Sequence, residues 1–317
     1  MKPIYYLLCT ILFFACTPKN KLPTVAFIDA FEDNTIGQAK KGFFDALKKN
    51  GFSEDQKTIN VVYRNAQGSI PTLTQIVQYC KTEKVTLMAT CPSISTITAL
   101  QNSKDIPVFM MVSPKPSLMK LNNNDGLAPA NLFGVGDDID YIDTSFALIP
   151  KLLKKKNKLK VGMIFNQSEP QSVDALNKIK TLATAMNIEL VALPINSSAD
   201  AQLVTQSLLS KNIDAFFANP DNVVFSSFEV IIKSCNAAKV PVFTSEAGLV
   251  ARGAVAAYGA DMYQWGYQAG EQAAQYLKTK SINNLHWELV KLRSKVYNAK
   301  AAQSFGIIAG EGFDKMD

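Results

Sequence analysis

Histidine is nearly missing from this chain: one in 317 residues. That one, His286, is the only base on which a Ser-His-Asp or Cys-His centre could rest, and no GxSxG or comparable cysteine context accompanies it. It sits beside Trp287 in a late apolar stretch and reads as a packing or crossing residue. The five cysteines include no CxxC pair, and there is no HExxH, so neither a disulfide framework nor a metal centre is spelled out. Cys80, Cys91 and Cys235 read as buried thiols. No GxGxxG or GxxxxGK follows an apolar run, which removes the usual signature of a nucleotide cofactor. No cofactor or metal is therefore expected, and an enzyme is the last of the readings carried forward. Strong charge is also lacking: the net value is +6 with 19% charged residues. The lysines are scattered except over 151–160, without interleaved aromatics, so nucleic acid is not an expected partner. Modest Gly and Pro counts argue against disorder, and 47% hydrophobic residues suffice for two ordinary cores.

One long apolar run is present, at the start. In MKPIYYLLCTILFFAC, residues 1–16, a single lysine precedes about a dozen apolar positions, short of the roughly 20 that a spanning helix needs. The run ends at Ala15-Cys16, and the polar, Pro-flanked residues 17–23 read as a linker. A small residue before a cysteine at such a place resembles a bacterial lipoprotein signal. The resemblance implies cleavage there, lipidation of Cys16 and a lipid-anchored, extracytoplasmic protein of the cell envelope. Phe13 and Phe14 stand where such signals usually carry a leucine and a small residue. The alternative is a free cysteine within a signal helix.

From Thr24 onward, strand and helix patterns alternate. Strands are expected at 24–30, 59–66, 85–91 and 107–113, with helices between them, and a Gly/Pro-rich loop at 122–129. NLFGVGD, 131–137, reads as a crossing strand. The pattern then restarts, with strands at 160–165, 189–195, 213–219, 241–245 and 254–259 and helices at 138–155, 170–186, 199–210 and 222–238. A helix at 263–277, a strand HWELVKLR and a short terminal helix close the chain. Such alternation predicts an α/β protein with parallel sheets covered on both faces. Two such units predict two Rossmann-like lobes, at 24–132 plus 260–284 and at 133–259 plus 285–317. They would be hinged by crossings near 131–137, 258–262 and 283–287.

The stretch VGMIFNQSEPQSVDALNKIK, 161–180, concentrates the functional signal. An apolar strand ends in a polar corner, and Pro170 opens a helix whose core face is Val173, Leu176, Ile179 and Ala183. Ligands bind off this edge of open α/β sheets, where helix N-termini also attract anions. The plainer reading of such a turn is a cap that satisfies its own helix.

Nine segments in order resemble one family. They are KKGFFDALKKNGF (40–52), YRNAQGSIPTL (63–73), ATCPS (89–93), DIPVFMMVSP (105–114), NLFGV (131–135), VGMIFNQSEPQS (161–172), ANPDN (218–222), KVPVFTSEAGLVARGAVAAYGADMYQWGYQAG (239–270) and NAKAAQSFGI (298–307). Residues 24–306 are similar to the type I periplasmic binding fold and, within it, to the substrate-binding lipoproteins of ABC importers of the tryptophan/tyrosine class. The resemblance implies two lobes that close on a small polar ligand, such as an amino acid and possibly an aromatic one. The ligand would then pass to permease and ATPase subunits. A sensing receptor subunit of the same fold is the alternative. The implied ligand-facing residues are Gln67, Thr90, Ser93, Ser168, Glu169, Asp221, Asn222 and Glu246. The hydroxyls suit a carboxylate and the acids an ammonium, while a cap or solvated loop residue is the alternative for each acid. Several positions depart from the family. Asp29, Asp33-Asn34 and Gly37 replace a Gln and a His-Pro-containing turn, Val112-Ser113-Pro114 replaces Thr-Asp-Pro, and SEPQS replaces a SEANS-like turn. These positions would touch or support the ligand, so its identity stays open.

Overall fold

The computed structural model describes residues 22–155 and 158–316. The signal segment with Cys16 and nearly all of the linker lie outside the described residues. The chain first forms β1 (Thr24–Asp29), α1 (Gly37–Lys49), β2 (Asn60–Asn65), α2 (Ile70–Thr82), β3 (Leu87–Cys91), α3 (Ser93–Asn102), β4 (Val108–Met110) and β5 (Leu132–Gly136). A second unit runs through α4 (Ile142–Leu153), β6 (Lys160–Asn166), α5 (Pro170–Ala185), β7 (Glu189–Ile195), α6 (Ala201–Leu209) and β8 (Ala215–Ala218). It continues with α7 (Asn222–Ser226), α8 (Phe228–Ala237), β9 (Val242–Thr244), α9 (Ala247–Ala251) and β10 (Ala256–Ala260). Last come α10 (Met262–Thr279), β11 (Glu288–Leu289), β12 (Arg293–Asn298), α11 (Ala299–Ser304) and β13 (Asp314–Met316).

The strands form two sheets, ordered β11-β5-β4-β3-β1-β2 and β13-β12-β10-β9-β8-β6-β7. Every pairing is parallel except β10 with β12. Helices cover both faces, so central strands such as β3 and β8 are buried along their whole length and read as unbroken apolar runs. This is the α/β architecture of two mostly parallel sheets that the alternation implied.

The sheets move two expected boundaries. The division between 132 and 133 falls inside β5, whose Leu132, Phe133 and Gly134 pair with Val108, Phe109 and Met110 of β4. The first crossing therefore follows Gly136. HWELVKLR is not one strand: Glu288–Leu289 joins the first sheet beside β5, and the chain crosses before β12 starts at Arg293 in the second. The helix expected over 222–238 is broken at Ser227 into α7 and α8. The second crossing runs between β10, ending at Ala260, and α10, starting at Met262.

That crossing returns α10 to the first lobe, where it lies against α1 at very short range. A Cβ added at Gly266 would stand 1.8 Å from the Ala39 carbonyl oxygen, and one at Gly42 2.0 Å from that of Tyr263. Glycine on both helices lets the backbones meet, which ties a late segment of the chain to an early one. The start of α10 also carries Met262 and Trp265, which belong to the largest buried apolar cluster together with Phe27 and Phe109 of the first lobe and Phe216 and Val242 of the second.

Candidate functional site

Both sheets turn the carboxyl ends of their strands toward the seam between the lobes, and two neighbouring spaces lie there. The inner one, about 40 Å³, is lined from the first lobe and the crossings by Ser113, Asp137, Tyr141, Met262 and Trp265. The second lobe gives it Gln171, Asp221, Asn222, Phe225 and Glu246. The outer one, about 440 Å³, lies between Phe31, Ser93, Ile94 and Ile97 on one side and Ser168, Glu169, Gln171 and Asn222 on the other. Gln171 and Asn222 border both.

Of the eight residues expected to face a ligand, six line these spaces: Ser93, Ser168, Glu169, Asp221, Asn222 and Glu246. Ser93 opens α3, and its hydroxyl accepts a long contact, 3.5 Å, from the Asn222 side-chain amide across the seam. Thr90 does not reach either space. It is fully buried under α3, where its hydroxyl meets that of Thr96 at 2.9 Å, and Thr96 meets Ser113 at 3.2 Å. Gln67 is exposed in a left-handed turn at φ 49°, its N–H donating to the Asn65 side chain, and only its neighbour Gly68 borders the outer space.

The three expected acids differ. Asp221 is buried and fully bonded: Oδ1 accepts from the N–H groups of Val223 and Val224, capping α7, and Oδ2 accepts from the Asn166 N–H and the Ser172 hydroxyl. It joins β6 to α7 and has no acceptor capacity to spare. Glu169 caps nothing on its own helix. Its Oε1 accepts from the Asn166 amide, and its Oε2 from the Gln171 amide at 2.7 Å and the Asn222 N–H at 2.9 Å. Burial, and then the neighbouring Asp221 charge, push the Glu169 carboxyl up. Glu246 is 2% exposed. Its Oε1 accepts from the Tyr141 hydroxyl at 3.0 Å and the Ser245 hydroxyl at 3.3 Å, while Oε2 is buried with no hydrogen-bond partner. Burial, and then the Asp137 charge, raise it to about 8.

Four residues the sequence reading did not single out complete the inner space. Asp137 follows β5 and is 1% exposed. Its Oδ1 accepts from the Arg293 guanidinium at 2.5 Å and the Asp138 N–H at 2.8 Å, and its Oδ2 is buried without a partner. Burial raises it to about 6 against the pull of Arg293. Tyr141 lies under Arg293, with the guanidinium 5.1 Å from the ring centre. Trp265 hangs from the first turn of α10, its indole N–H donating to the Val135 carbonyl. Phe225 closes the second-lobe side. An acid directly after the apolar run of β5 was the available signal for Asp137, whereas Asp221 was marked by the ANPDN segment of the resemblance. His286 is exposed and borders neither space.

The lobes also touch outside these spaces. Arg252, at the end of α9, donates to Asp33 Oδ2 at 2.8 Å and the Thr35 hydroxyl at 2.9 Å in the first lobe, and on its own side to Glu229 and the Phe225 carbonyl. Asp33 uses its other oxygen to accept from the N–H groups of Thr35 and Ile36 at the start of α1.

Residues 24–315 match the sequence pattern of the family described as ABC transporter substrate binding protein. The chain belongs to that family. Across 269 residues, 85% of this chain and 76% of the relative, it is 30% identical to a tyrosine-binding protein of Clostridioides difficile. A Streptococcus pneumoniae domain solved in complex with L-Trp superposes with a TM-score of 0.84 at 20% identity, covering 94% of this chain and 100% of that one. The ligand-free, open structure of a substrate-binding protein with adhesive properties from Clostridium difficile is 25% identical. It covers 93% of this chain and 100% of its own, at a TM-score of 0.68. Substrate-binding proteins of ABC transporters are extracytoplasmic and bind solutes.

Proposed function

We propose that this substrate-binding protein captures an α-amino acid with an aromatic side chain, tyrosine or tryptophan, between its lobes and delivers it to the permease and ATPase of an ABC importer. The observation that carries the reading is the opposed chemistry of the two walls. On the first lobe, α3 begins at Ser93 and Ile94, whose N–H groups precede any intrahelical acceptor and favour a carboxylate. The second lobe supplies carboxyl groups, Glu169 to the outer space and Glu246 to the inner one, and Phe31, Phe225 and Trp265 add apolar surface. A zwitterion satisfies both walls at once, and occupying both couples binding to closure. The tyrosine-binding relative and the L-Trp complex support an amino acid over a sugar. No feature of the described residues favours the sensing alternative.

Ligand that binds only the folded protein raises its stability, by about 2.7 kcal/mol at a hundredfold excess over Kd. L-Tyrosine or L-tryptophan should therefore raise the melting midpoint by several degrees, and glucose or myo-inositol should not. A shift with the sugars alone would remove the amino-acid reading. We also propose that Cys16 carries a lipid anchor, on the strength of the apolar run that ends at Ala15-Cys16. Cys16→Ser should then abolish labelling by a radioactive fatty acid and move the protein out of the membrane fraction, and unchanged labelling would refute the anchor.

A further inference from the structure

The inner space has two properties that the amino-acid reading does not use. It is small, about 40 Å³ against about 440 Å³ for the outer one, so it admits a group of the size of water and not an aromatic ring. It also holds two carboxyl groups, one on the first crossing and one in the second lobe, that each keep one oxygen back. Glu246 Oε2 and Asp137 Oδ2 are both buried and unpartnered, while their other oxygens are fixed by Tyr141 and Ser245 and by Arg293 and the Asp138 N–H.

Resting on the amino-acid reading, we propose that Glu246 Oε2 and Asp137 Oδ2 together seat the ligand's ammonium group, which enters by displacing a proton from Glu246. The exchange balances as a carboxylic acid plus a substituted ammonium giving a carboxylate–ammonium pair and one proton released to solvent. No bond other than O–H is broken. The side chain of the ligand then points away from the hinge into the outer space, toward Phe31, Ile94 and Ile97.

The charges around the pair support the exchange. Asp137 faces Arg293, Asp138 and Glu246; Glu246 faces Asp137, Tyr141 and, more distantly, Arg293. Asp221, the other acid on the inner wall, already accepts four hydrogen bonds. No lysine or histidine borders the space. One guanidinium cannot offset two buried carboxylates, so one of them carries a proton until another cation arrives. Burial raises Glu246 to about 8 and Asp137 only to about 6, which makes Glu246 the holder. Trp265 and Phe225 close the seat with rings whose faces tolerate a cation.

The test is titration calorimetry of the full chain with L-tyrosine and L-tryptophan near pH 7 in buffers of differing ionisation heat. For whichever amino acid binds, the observed heat should vary with the buffer, with a slope near one proton released per ligand. Affinity should rise about tenfold per pH unit from 6 to 7, because one proton leaves on binding. Glu246→Gln, close in shape to the protonated acid, should bind at least about tenfold more weakly and show no buffer dependence. Binding with the same heat in every buffer and a flat pH profile would overturn the exchange while leaving the amino-acid reading intact. Binding by neither amino acid would overturn both.

Discussion

Asp221 and Glu246 each follow a strand of the second sheet and precede a short helix, yet their environments separate them. Asp221 spends both oxygens on four donors, two of them N–H groups of α7, so it holds β6 to the α7 turn. Glu246 receives no cap bond and keeps one oxygen bare inside the seam. An acid in a strand-to-helix turn is the same sequence signal for a cap and for a binding group, because both roles need a short acceptor at that edge. Asp137, which shares the inner space with Glu246, escaped notice because its partner Arg293 is 156 residues away in the chain. The consequence of this burial is a pH-dependent stability whose sign is fixed. Glu246 rises from 4.5 to about 8 on folding and Asp137 from 3.8 to about 6, and Glu169 moves in the same direction. The folded chain thus holds protons that the unfolded chain gives up. This stabilisation is complete below the unfolded values and is lost as pH rises toward the folded ones, at about 1.4 kcal/mol per pH unit for each group. Without ligand, the melting midpoint should fall between about pH 6 and 8, and Glu246→Gln should flatten that fall. A midpoint that rises over this range, or an unaltered slope in the variant, would contradict the placement of Glu246.

At the scale of elements, the alternation of apolar strands and amphipathic helices was legible because the central strands, such as β3 and β8, are short unbroken runs between polar turns. The failures occur where tertiary pairing, not local pattern, sets the limits. HWELVKLR has one apolar–polar rhythm, but Glu288–Leu289 pairs with the first sheet while Arg293 opens a strand of the second, and nothing within eight residues can show that. The turn after β1 was visible only as a departure from the family, with Asp33-Asn34 in place of a His-Pro-containing turn. Its role lies across the seam, where Asp33 Oδ2 meets Arg252, with side-chain exposures of 2% and 14%. Gly248 makes room for this meeting, since a Cβ there would stand 2.3 Å from the Thr35 methyl. The pair ties the first lobe to the second. Asp33→Asn keeps the Oδ1 acceptor at the start of α1 and removes only the charge facing Arg252. Closing should then cost about 2 kcal/mol more, the low end for a buried pair because Glu229 still neutralises the guanidinium. Stopped-flow measurement should find ligand leaving faster by about an order of magnitude, with the association rate little changed. An unaltered dissociation rate would mean that the clasp has no part in closure.

For the whole molecule, two sheets joined by three crossings give a cleft whose walls belong to different lobes. The ligand's charges decide which walls it can bridge, so the central claim is that one molecule is held by its carboxylate on the first lobe and by its ammonium at the hinge end. Calorimetry of L-tyrosine beside L-tyrosine amide and N-acetyl-L-tyrosine tests this most directly, because each analogue removes one charge and keeps the ring. Each blocked form should lose on the order of 3 kcal/mol, roughly a hundredfold or more in Kd, since it leaves a buried group of the cleft unpaired. Analogues that bind as tightly as the free amino acid would contradict the account.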